Sequence, residues 1–277
     1  MADAQLLMST AVPHPALRPY VRALYGYVET AVRPGRRREL PVAQTVLVVN
    51  LGAPLLVAGS PTPEDRCFPD GLVAGLGTGS VFTSVPGGIQ EGVQALITPL
   101  GCQRLCGVAM HELAEGSFRL DDVLGREAAR LVDRLRHTPS WTARLELLQR
   151  FLLDRILDGR PAPPDVAHAW SRLEATDGRL RVGELAAELR CSTRHLTNRF
   201  RDHVGIPPKQ AARVLRFQRA WELFEGGTGA ARAAAEAGFA DQAHFSREVR
   251  DLTGLAPTAL LAVRRSDSSK SGPLPLT

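Results

Sequence analysis

HLTNRFRDHVGIPP, residues 195–208, has a second copy further along the chain. HFSREVRDLTGLAP, residues 244–257, repeats its His, Arg, Asp, Gly and Pro with an offset of 49 residues. An AAE triplet precedes each copy, at 186–188 and at 234–236, with an offset of 48. Each copy therefore predicts a short alanine-rich helix, a tight turn and a second helix, which together make a helix-turn-helix unit.

The second helix of each unit, called here a reading helix, is predicted to begin after a good N-cap residue, Ser192 or Asp241. Its apolar side packs inward at 3.6 residues per turn, and its other side carries Arg, Asn, Gln and small residues. Arg can pair with guanine, Asn or Gln with adenine, and Ala can contact a thymine methyl group. Arg201 and Arg250 are placed to bind phosphates. The predicted DNA-binding residues are Arg194, Thr197, Asn198, Arg201, Gln242, Ala243, Ser246, Arg247 and Arg250.

The positive charge of the chain is concentrated in this repeated region. The 277 residues carry a formal net charge of +5. Residues 178–265 contain 15 Arg and Lys against 9 Asp and Glu, whereas the remainder contains 19 against 20. A local basic excess favours double-stranded DNA as the partner over the alternative that both outward faces are only solvated.

A helix between the two copies is predicted to hold them at a fixed separation. It lies in KQAARVLRFQRAWELFEGG, residues 209–227, and its glycines end it. The two reading helices could then enter successive major-groove segments about 34 Å apart. The predicted core residues of the two units are Leu196, Phe200, Phe217, Trp221, Phe239 and Phe245.

At these residues the sequence resembles the AraC/XylS family of transcription regulators. The matching stretches are LAAELRCSTRHLTNRFRDHVGIPP, RFQRAWEL and AAEAGFADQAHFSREVRDLTGLAP, which lie within about residues 178–265. The resemblance implies a double helix-turn-helix domain and RNA polymerase as a further partner. Two positions depart from the family pattern: Arg190 replaces the glycine of the first turn, and Val249 replaces a phenylalanine. The departure at Arg190 predicts a strained turn.

The first hundred residues predict a β-rich domain. A helix is predicted in HPALRPYVRALY, residues 14–25, and is followed by short strand-like runs between Gly, Pro and Ser residues. From residue 102 the period changes to that of helices, and the apolar stripes of residues 121–137 and 140–157 predict a helical hairpin. This hairpin either covers the strand domain or pairs with its counterpart in a homodimer.

The whole chain is therefore predicted to be α+β: a β-rich barrel or sandwich-like domain with flanking helices, then an all-α double helix-turn-helix domain. The prolines of GRPAPPD, residues 159–165, make the best linker. The predicted divisions are residues 1–160 for a sensor or dimerisation domain, 161–177 for a linker and first helix, 178–265 for the DNA-binding domain, and 266–277 for a disordered tail.

The N-terminal part resembles, less specifically, the sensor-like domain of some actinobacterial AraC members, through HPALRPYVRALYGYVE and TPLGCQRLCGV. That resemblance implies ligand sensing or dimerisation. Three hypotheses remain: a regulator controlled by a small molecule, a regulator whose N-terminal domain only dimerises or binds a protein, and an enzyme fused to a DNA-binding module, such as an alkyl-transfer repair protein with a reactive cysteine. The first is favoured, with TVLVVNLGAPLLVAG (residues 45–59) as a pocket wall and Asn50 facing inward.

Four cysteines in a chain of this length predict a reducing cytoplasm rather than a disulfide framework. No secretory signal or membrane span is expected at the N-terminus or in the uncharged residues 41–63. Cys102 and Cys106, four residues apart on a predicted helix, are either packing residues or a sensor thiol or metal pair. The histidines lack metal-site spacing, so no cofactor or metal is predicted.

Overall fold

The computed structural model describes residues 6–31, 36–59, 64–84 and 87–268. Within these ranges, two antiparallel sheets with flanking helices form the N-terminal part, and only helices follow. The predicted α+β architecture is confirmed. Among the described residues, no helix has both the length and the apolar character needed to cross a bilayer.

The described part of the chain has ten strands in two sheets. Their bounds are β1 (Leu6–Ala11), β2 (Val21–Ala31), β3 (Arg36–Glu39), β4 (Thr45–Asn50), β5 (Leu55–Gly59), β6 (Arg66–Phe68), β7 (Gly71–Ala74), β8 (Val81–Ser84), β9 (Gly88–Ile97) and β10 (Ser117–Arg119). The six-stranded sheet has the order β1-β2-β9-β4-β7-β10, and the four-stranded sheet has the order β3-β8-β5-β6. The described ranges thus contain a sandwich of a large and a small sheet.

The prediction of a helix at residues 14–25 is wrong. Only Pro15–Leu17 form one turn of 3-10 helix, and β2 begins at Val21. β2 is buried on both faces, so its apolar residues do not alternate with polar ones, and the run imitates a helical stripe. Its aromatic and β-branched residues, among them Tyr25 and Tyr27, favour the strand.

The large sheet packs on both of its faces. Leu47 and Val49 of β4 point to the helical side, where they join the largest core. Val46 and Val48 point the other way, toward the small sheet. This alternation follows from the pleat of a strand, and it makes the large sheet a partition between a helical layer and the space between the sheets.

Four helices cover the outer face of the large sheet: α1 (Pro99–Cys106), α2 (Leu120–Leu124), α3 (Arg126–Arg136) and α4 (Trp141–Asp158). Leu131, Leu135, Leu148 and Leu152 of the predicted hairpin are at most 3% exposed and belong to the core beneath them. Their burial within the chain supports the alternative in which the hairpin covers the strand domain. A homodimer through these stripes is still a prediction, without support from exposed apolar surface.

Between residues 164 and 268, seven helices form the C-terminal part. They are α5 (Pro164–Ala175), α6 (Val182–Glu188), α7 (Thr193–Val204), α8 (Pro208–Glu225), α9 (Ala230–Glu236), α10 (Gln242–Thr253) and α11 (Pro257–Ser268). Helix α5 lies in the segment predicted as linker and first helix. The predicted tail starts inside α11, and its residues 269–277 lie outside the described residues.

Helix α8 contributes to two separate cores. Its first half places Ala211 and Val214 in the core of the first helix-turn-helix unit, formed by α6 and α7 with α5. Its second half places Phe217 and Trp221 in the core of the second unit, formed by α9 and α10 with α11. The connecting helix therefore joins the two units through continuous packing, as the sequence predicted.

The N-terminal part also enters both of these cores. Leu40 lies in the core of the second unit, and Ala43, Leu76 and Leu100 lie in the core of the first. The backbone N–H of Ala43 donates a hydrogen bond to Oε1 of Gln218 on α8 at 3.2 Å. The helix-turn-helix units thus share buried contacts with the strand domain.

The two helix-turn-helix turns have the same backbone conformation with different residues. Arg190 has φ +52° in the first turn, and Gly238, at the equivalent position, has φ +80° in the second. A left-handed conformation costs a residue with a side chain roughly 1–2 kcal/mol, and glycine is free of this cost. The strain that the sequence predicted at Arg190 is therefore present.

We expect Arg190→Gly to raise the free energy of unfolding by about 1 kcal/mol, because the exposed Arg190 side chain loses little packing while the turn is relieved. Denaturant unfolding followed by tryptophan fluorescence measures this change. Gly238→Ala is the matched control and should destabilise, since its added Cβ would lie 2.8 Å from Cγ of Arg179. An unchanged or lowered midpoint for Arg190→Gly would contradict this account.

Candidate nucleic-acid interface and ligand cavity

The two predicted reading helices are α7 and α10. The Ser192 hydroxyl caps α7 by accepting a hydrogen bond from the N–H of His195 at 3.2 Å. The Asp241 carboxylate caps α10 in the same way, with the N–H of His244 at 2.6 Å. Each cap pairs a backbone N–H that has no partner within the helix. Both predicted N-caps are confirmed, and both helices begin at equivalent positions of the repeat.

Each reading helix buries one face. Leu196, Phe200 and Val204 of α7 are at most 1% exposed. Their counterparts in α10 are Phe245 and Val249, which are fully buried. All of the predicted core residues are buried. The orientation of both helices follows from these contacts, because the buried stripe determines which side chains face solvent.

The opposite faces carry the predicted DNA-binding residues. Thr197 and Ser246 are partly buried, and the Thr197 hydroxyl donates to the carbonyl of Thr193 at 2.7 Å. This bond occupies the Thr197 donor, so only its oxygen lone pairs and methyl group face outward. The other seven residues are exposed: Arg194, Asn198, Arg201, Gln242, Ala243, Arg247 and Arg250.

The arginines of the two units fall into two groups. Some form ion pairs between helices, and others face outward without an ion pair. Both Nε and Nη2 of Arg199 donate to the carboxylate of Asp165 on α5, at 2.8 and 3.0 Å, and lower the pKa of Asp165. Arg213 of α8 donates through Nε to Glu248 of α10. The outward arginines of α7 and α10 are Arg194, Arg201, Arg247 and Arg250. In the described part of the chain, they make no such ion pair. Unpaired guanidinium groups remain available for an external anion or base edge.

A cavity of about 220 Å³ lies between the two sheets. Its apolar wall includes Val46 and Val48 of the large sheet and Leu55 and Val57 of the small one. These four residues come from TVLVVNLGAPLLVAG, so the prediction that this stretch forms a pocket wall agrees with the structure. The volume is below the 300–1,000 Å³ that is usual for drug-sized ligands, which limits an occupant to a small molecule.

The expectation that Asn50 faces the cavity is wrong. Its Nδ2 donates to the carbonyls of Ala53 and Pro69, both at 2.8 Å, and closes the turn after β4. An amide that is buried at a strand end is needed there to pair backbone carbonyls that water cannot reach. Sequence reasoning missed several polar residues of the lining, among them Gln44, whose Oε1 is buried without a hydrogen-bond donor.

The charged residues around the cavity are already engaged with the protein. They comprise the three arginines Arg37, Arg38 and Arg264 and the three glutamates Glu29, Glu39 and Glu115. Arg37 pairs with Glu29 at 2.6 Å, and Arg264 pairs with Glu225 at 2.7 Å. Because these charges balance and each has a partner, the cavity is suited to a neutral occupant.

Two tyrosines complete the polar side of the cavity. Tyr25 and Tyr27 of β2 are buried, and burial raises the pKa of each phenol well above its usual value. Their hydroxyl groups therefore stay protonated and can donate hydrogen bonds at any physiological pH.

The cysteine pair is part of the packing under α1. The sulfur atoms of Cys102 and Cys106 are 3.6 Å apart, and the two residues are 0% and 7% exposed. The hydrogen bond to Cys102, together with burial, raises the pKa of Cys106. The same hydrogen bond lowers the pKa of Cys102, but that thiol is 0% exposed, so its burial supports the packing alternative over a reactive cysteine. No cluster of three or more His, Cys, Asp or Glu that could hold a metal occurs in the ranges that the structure describes.

Residues 185–262, which span both units, match a family of helix-turn-helix domains. No curated protein has a sequence that matches this chain. The chain has the fold of ToxT from Vibrio cholerae, with a TM-score of 0.50 at 11% identity over 88% of this chain and 98% of ToxT. An apo ToxT variant gives a TM-score of 0.50 at 14% identity, over 87% of this chain and 97% of the variant. A ToxT structure bound to an unsaturated fatty acid gives 0.49 at 11% identity, over 95% of this chain and 97% of that one.

We expect Arg247→Ala and Asn198→Ala each to cost about 1–3 kcal/mol of binding to a preferred duplex and to relax the preference at one base pair. Arg201→Ala should weaken binding to all duplexes about equally and lower the slope of log K against log salt by about 1, because it removes a phosphate contact. Titrations of matched specific and random duplexes at several salt concentrations measure both effects. If the first two variants lost specific and random binding alike, the predicted reading faces would be wrong.

Proposed function

We propose that the chain, whose residues 185–262 match a helix-turn-helix domain family, is an AraC-type regulator of transcription that binds a specific duplex sequence under the control of a small molecule. The DNA contacts would come from the outward faces of α7 and α10. The controlling molecule would occupy the cavity between the sheets. Contact with RNA polymerase and assembly as a homodimer belong to the same proposal, as does action in the cytoplasm.

One observation carries the DNA-binding proposal: two equivalent helices present unpaired arginines with an amide on each exposed face. Arg194 and Asn198 occupy α7, and Gln242 and Arg247 occupy α10. Arginine and amide side chains make bidentate hydrogen bonds to base edges in the major groove. Since α8 packs into the cores of both units, the two faces are held in one arrangement relative to each other. Such an arrangement favours a site with two half-sites on one face of the duplex.

The cavity favours a ligand that is small, mostly apolar and neutral. The aliphatic side chains of both sheets would bury its hydrocarbon part. The Oε1 of Gln44 lacks a donor, so a hydroxyl or N–H group on the ligand would remove an unsatisfied buried acceptor. A carboxylate would be less suited, because Arg37, Arg38 and Arg264 already have partners within the protein.

The DNA-binding proposal predicts that the full-length protein enriches one sequence from a pool of random duplexes. We expect two short conserved blocks about one helical turn apart, with Asn198→Ala relaxing one block and Arg247→Ala relaxing the other. Sequencing of the bound pool measures the enrichment. A pool that stayed random after repeated selection at physiological salt would contradict sequence-specific binding.

The ligand proposal predicts that 1-octanol raises the thermal transition of the full-length protein and that octanoate, which has the same chain length and a negative charge, has a smaller effect. A ligand at a hundredfold excess over its Kd adds about 2.7 kcal/mol of stability. Val57→Phe should abolish the shift because it fills the cavity. Leu56→Phe, on the opposite face of β5, should retain it.

Two results would contradict this proposal. The absence of any octanol shift in the unsubstituted protein would argue against a neutral ligand in the cavity. An equal shift in Val57→Phe and Leu56→Phe would place the octanol elsewhere. Either result would favour the regulator whose N-terminal domain only dimerises or binds a protein.

A further inference from the structure

We propose that Arg38 is a positioning residue for the second reading helix, so that base recognition by α10 depends on a strand that lines the cavity. This inference rests on the proposed function, because it concerns how the cavity and the DNA-binding face are connected. Strands β3 and β8 would connect the cavity to the DNA-binding face.

The C-terminal end of α10 is held by the strand domain rather than by its own unit alone. Nη1 of Arg38 donates to the carbonyl of Thr253, and the backbone N–H of Ser80 donates to the carbonyl of Leu252 at 2.9 Å. The last carbonyls of a helix have no partner within it, and the negative end of the helix dipole favours a cation. Arg38 and Ser80 therefore determine where this end of α10 lies.

Both contacts originate from one edge of the small sheet. Arg38 lies in β3 opposite Phe82 of β8, and its guanidinium stacks over the Phe82 ring at 4.5 Å. Ser80 immediately precedes β8. This edge also borders the cavity, through Arg38 itself and through Val81 and Thr83 of β8. A displacement of the β3–β8 edge by an occupant would therefore move the residues that hold α10.

Two further contacts tie the cavity side to the second unit. Leu40, which follows β3, packs in the core that contains Phe245 of α10. Arg264 of α11 lines the cavity and pairs with Glu225 at the end of α8. The second helix-turn-helix unit thus meets the cavity wall through a helix cap, an apolar contact and an ion pair.

The first reading helix is held differently. The end of α7 contacts the short 3-10 helix Met110–Glu112, where His111 and Asp202 approach to 3.4 Å. Within the described residues, neither α7 nor this 3-10 helix contributes to the cavity lining. Ala43 and Leu76, which adjoin lining residues, pack in the core of the first unit, but in the described chain the end of α7 has no cap from the β3–β8 edge. A change in the cavity should therefore alter recognition by α10 more than recognition by α7.

The test uses the full-length protein and the duplex that it selects from a random pool. The half-site weakened by Arg247→Ala is assigned to α10, and the half-site weakened by Asn198→Ala is assigned to α7. Discrimination at each half-site is the ratio of affinities for the selected duplex and for a duplex scrambled in that half only. This ratio separates positioning from stability, because general unfolding would lower affinity for all duplexes together.

We expect Arg38→Ala to reduce discrimination at the α10 half-site about tenfold, comparable to the loss of one base contact, and to leave the α7 half-site unchanged. Arg38→Lys keeps the cation at the helix end and should restore most of the discrimination. Arg36→Ala is the matched control, because Arg36 lies on the same strand but pairs with the exposed Asp65 at 2.6 Å. Arg36→Ala should change neither half-site.

The connection to the cavity is tested with a phenyl ring as the occupant. Val57→Phe should shift discrimination at the α10 half-site more than at the α7 half-site, and Leu56→Phe should shift neither. In the Arg38→Ala background the effect of Val57→Phe on discrimination should disappear, because the contact that transmits it has been removed. The double-mutant cycle measures this coupling between the two positions.

Three outcomes would overturn the inference: Arg38→Ala changing both half-sites equally, Arg38→Ala changing neither, or Val57→Phe acting independently of Arg38. Failure of the proposed function would look different, because no duplex would be selected at all. A selected duplex with two intact half-sites in Arg38→Ala would therefore refute only the role of Arg38.

Discussion

The structure depends on the packing of α8 into two cores at once. A helix-turn-helix unit of two short helices has too little apolar surface to be stable by itself, and α8 supplies Val214 to the first unit and Phe217 and Trp221 to the second. Because one continuous helix serves both, the units cannot move apart without exposing buried side chains. The outward faces of α7 and α10 consequently keep a defined relation, which recognition of two half-sites requires.

The large sheet, like α8, packs against two different parts of the molecule. One of its faces packs against α1–α4, and the other lines a cavity that the small sheet closes. The edge strand β3 borders this cavity and contacts the end of α10, which links the interior of the strand domain to the DNA-binding part. An edge strand usually leaves its polar groups unpaired toward solvent, whereas this one uses Arg38 to cap a helix.

Much of the C-terminal part could be predicted from the chain alone, because helix signals are local. The repeat, the caps at Ser192 and Asp241 and the apolar stripes depend on residues within a few turns of each other. The helix expected at residues 14–25 was wrong for the opposite reason. Whether Tyr25 belongs to a strand or a helix depends on β9, which pairs with β2 from about seventy residues away, and on the packing of both faces of the sheet.

The amino-acid sequence by itself determined the two reading helices, their outward residues and the uncharged wall of a pocket, since each follows from spacing along one element. Only the tertiary structure decided that Asn50 closes a turn while Gln44 lines the cavity, and that Arg264 joins the cavity from the other end of the chain. It also decided that Arg38 reaches the end of α10, 215 residues further along. Such contacts arise from the packing of distant segments, which periodicity and propensity within one segment do not encode.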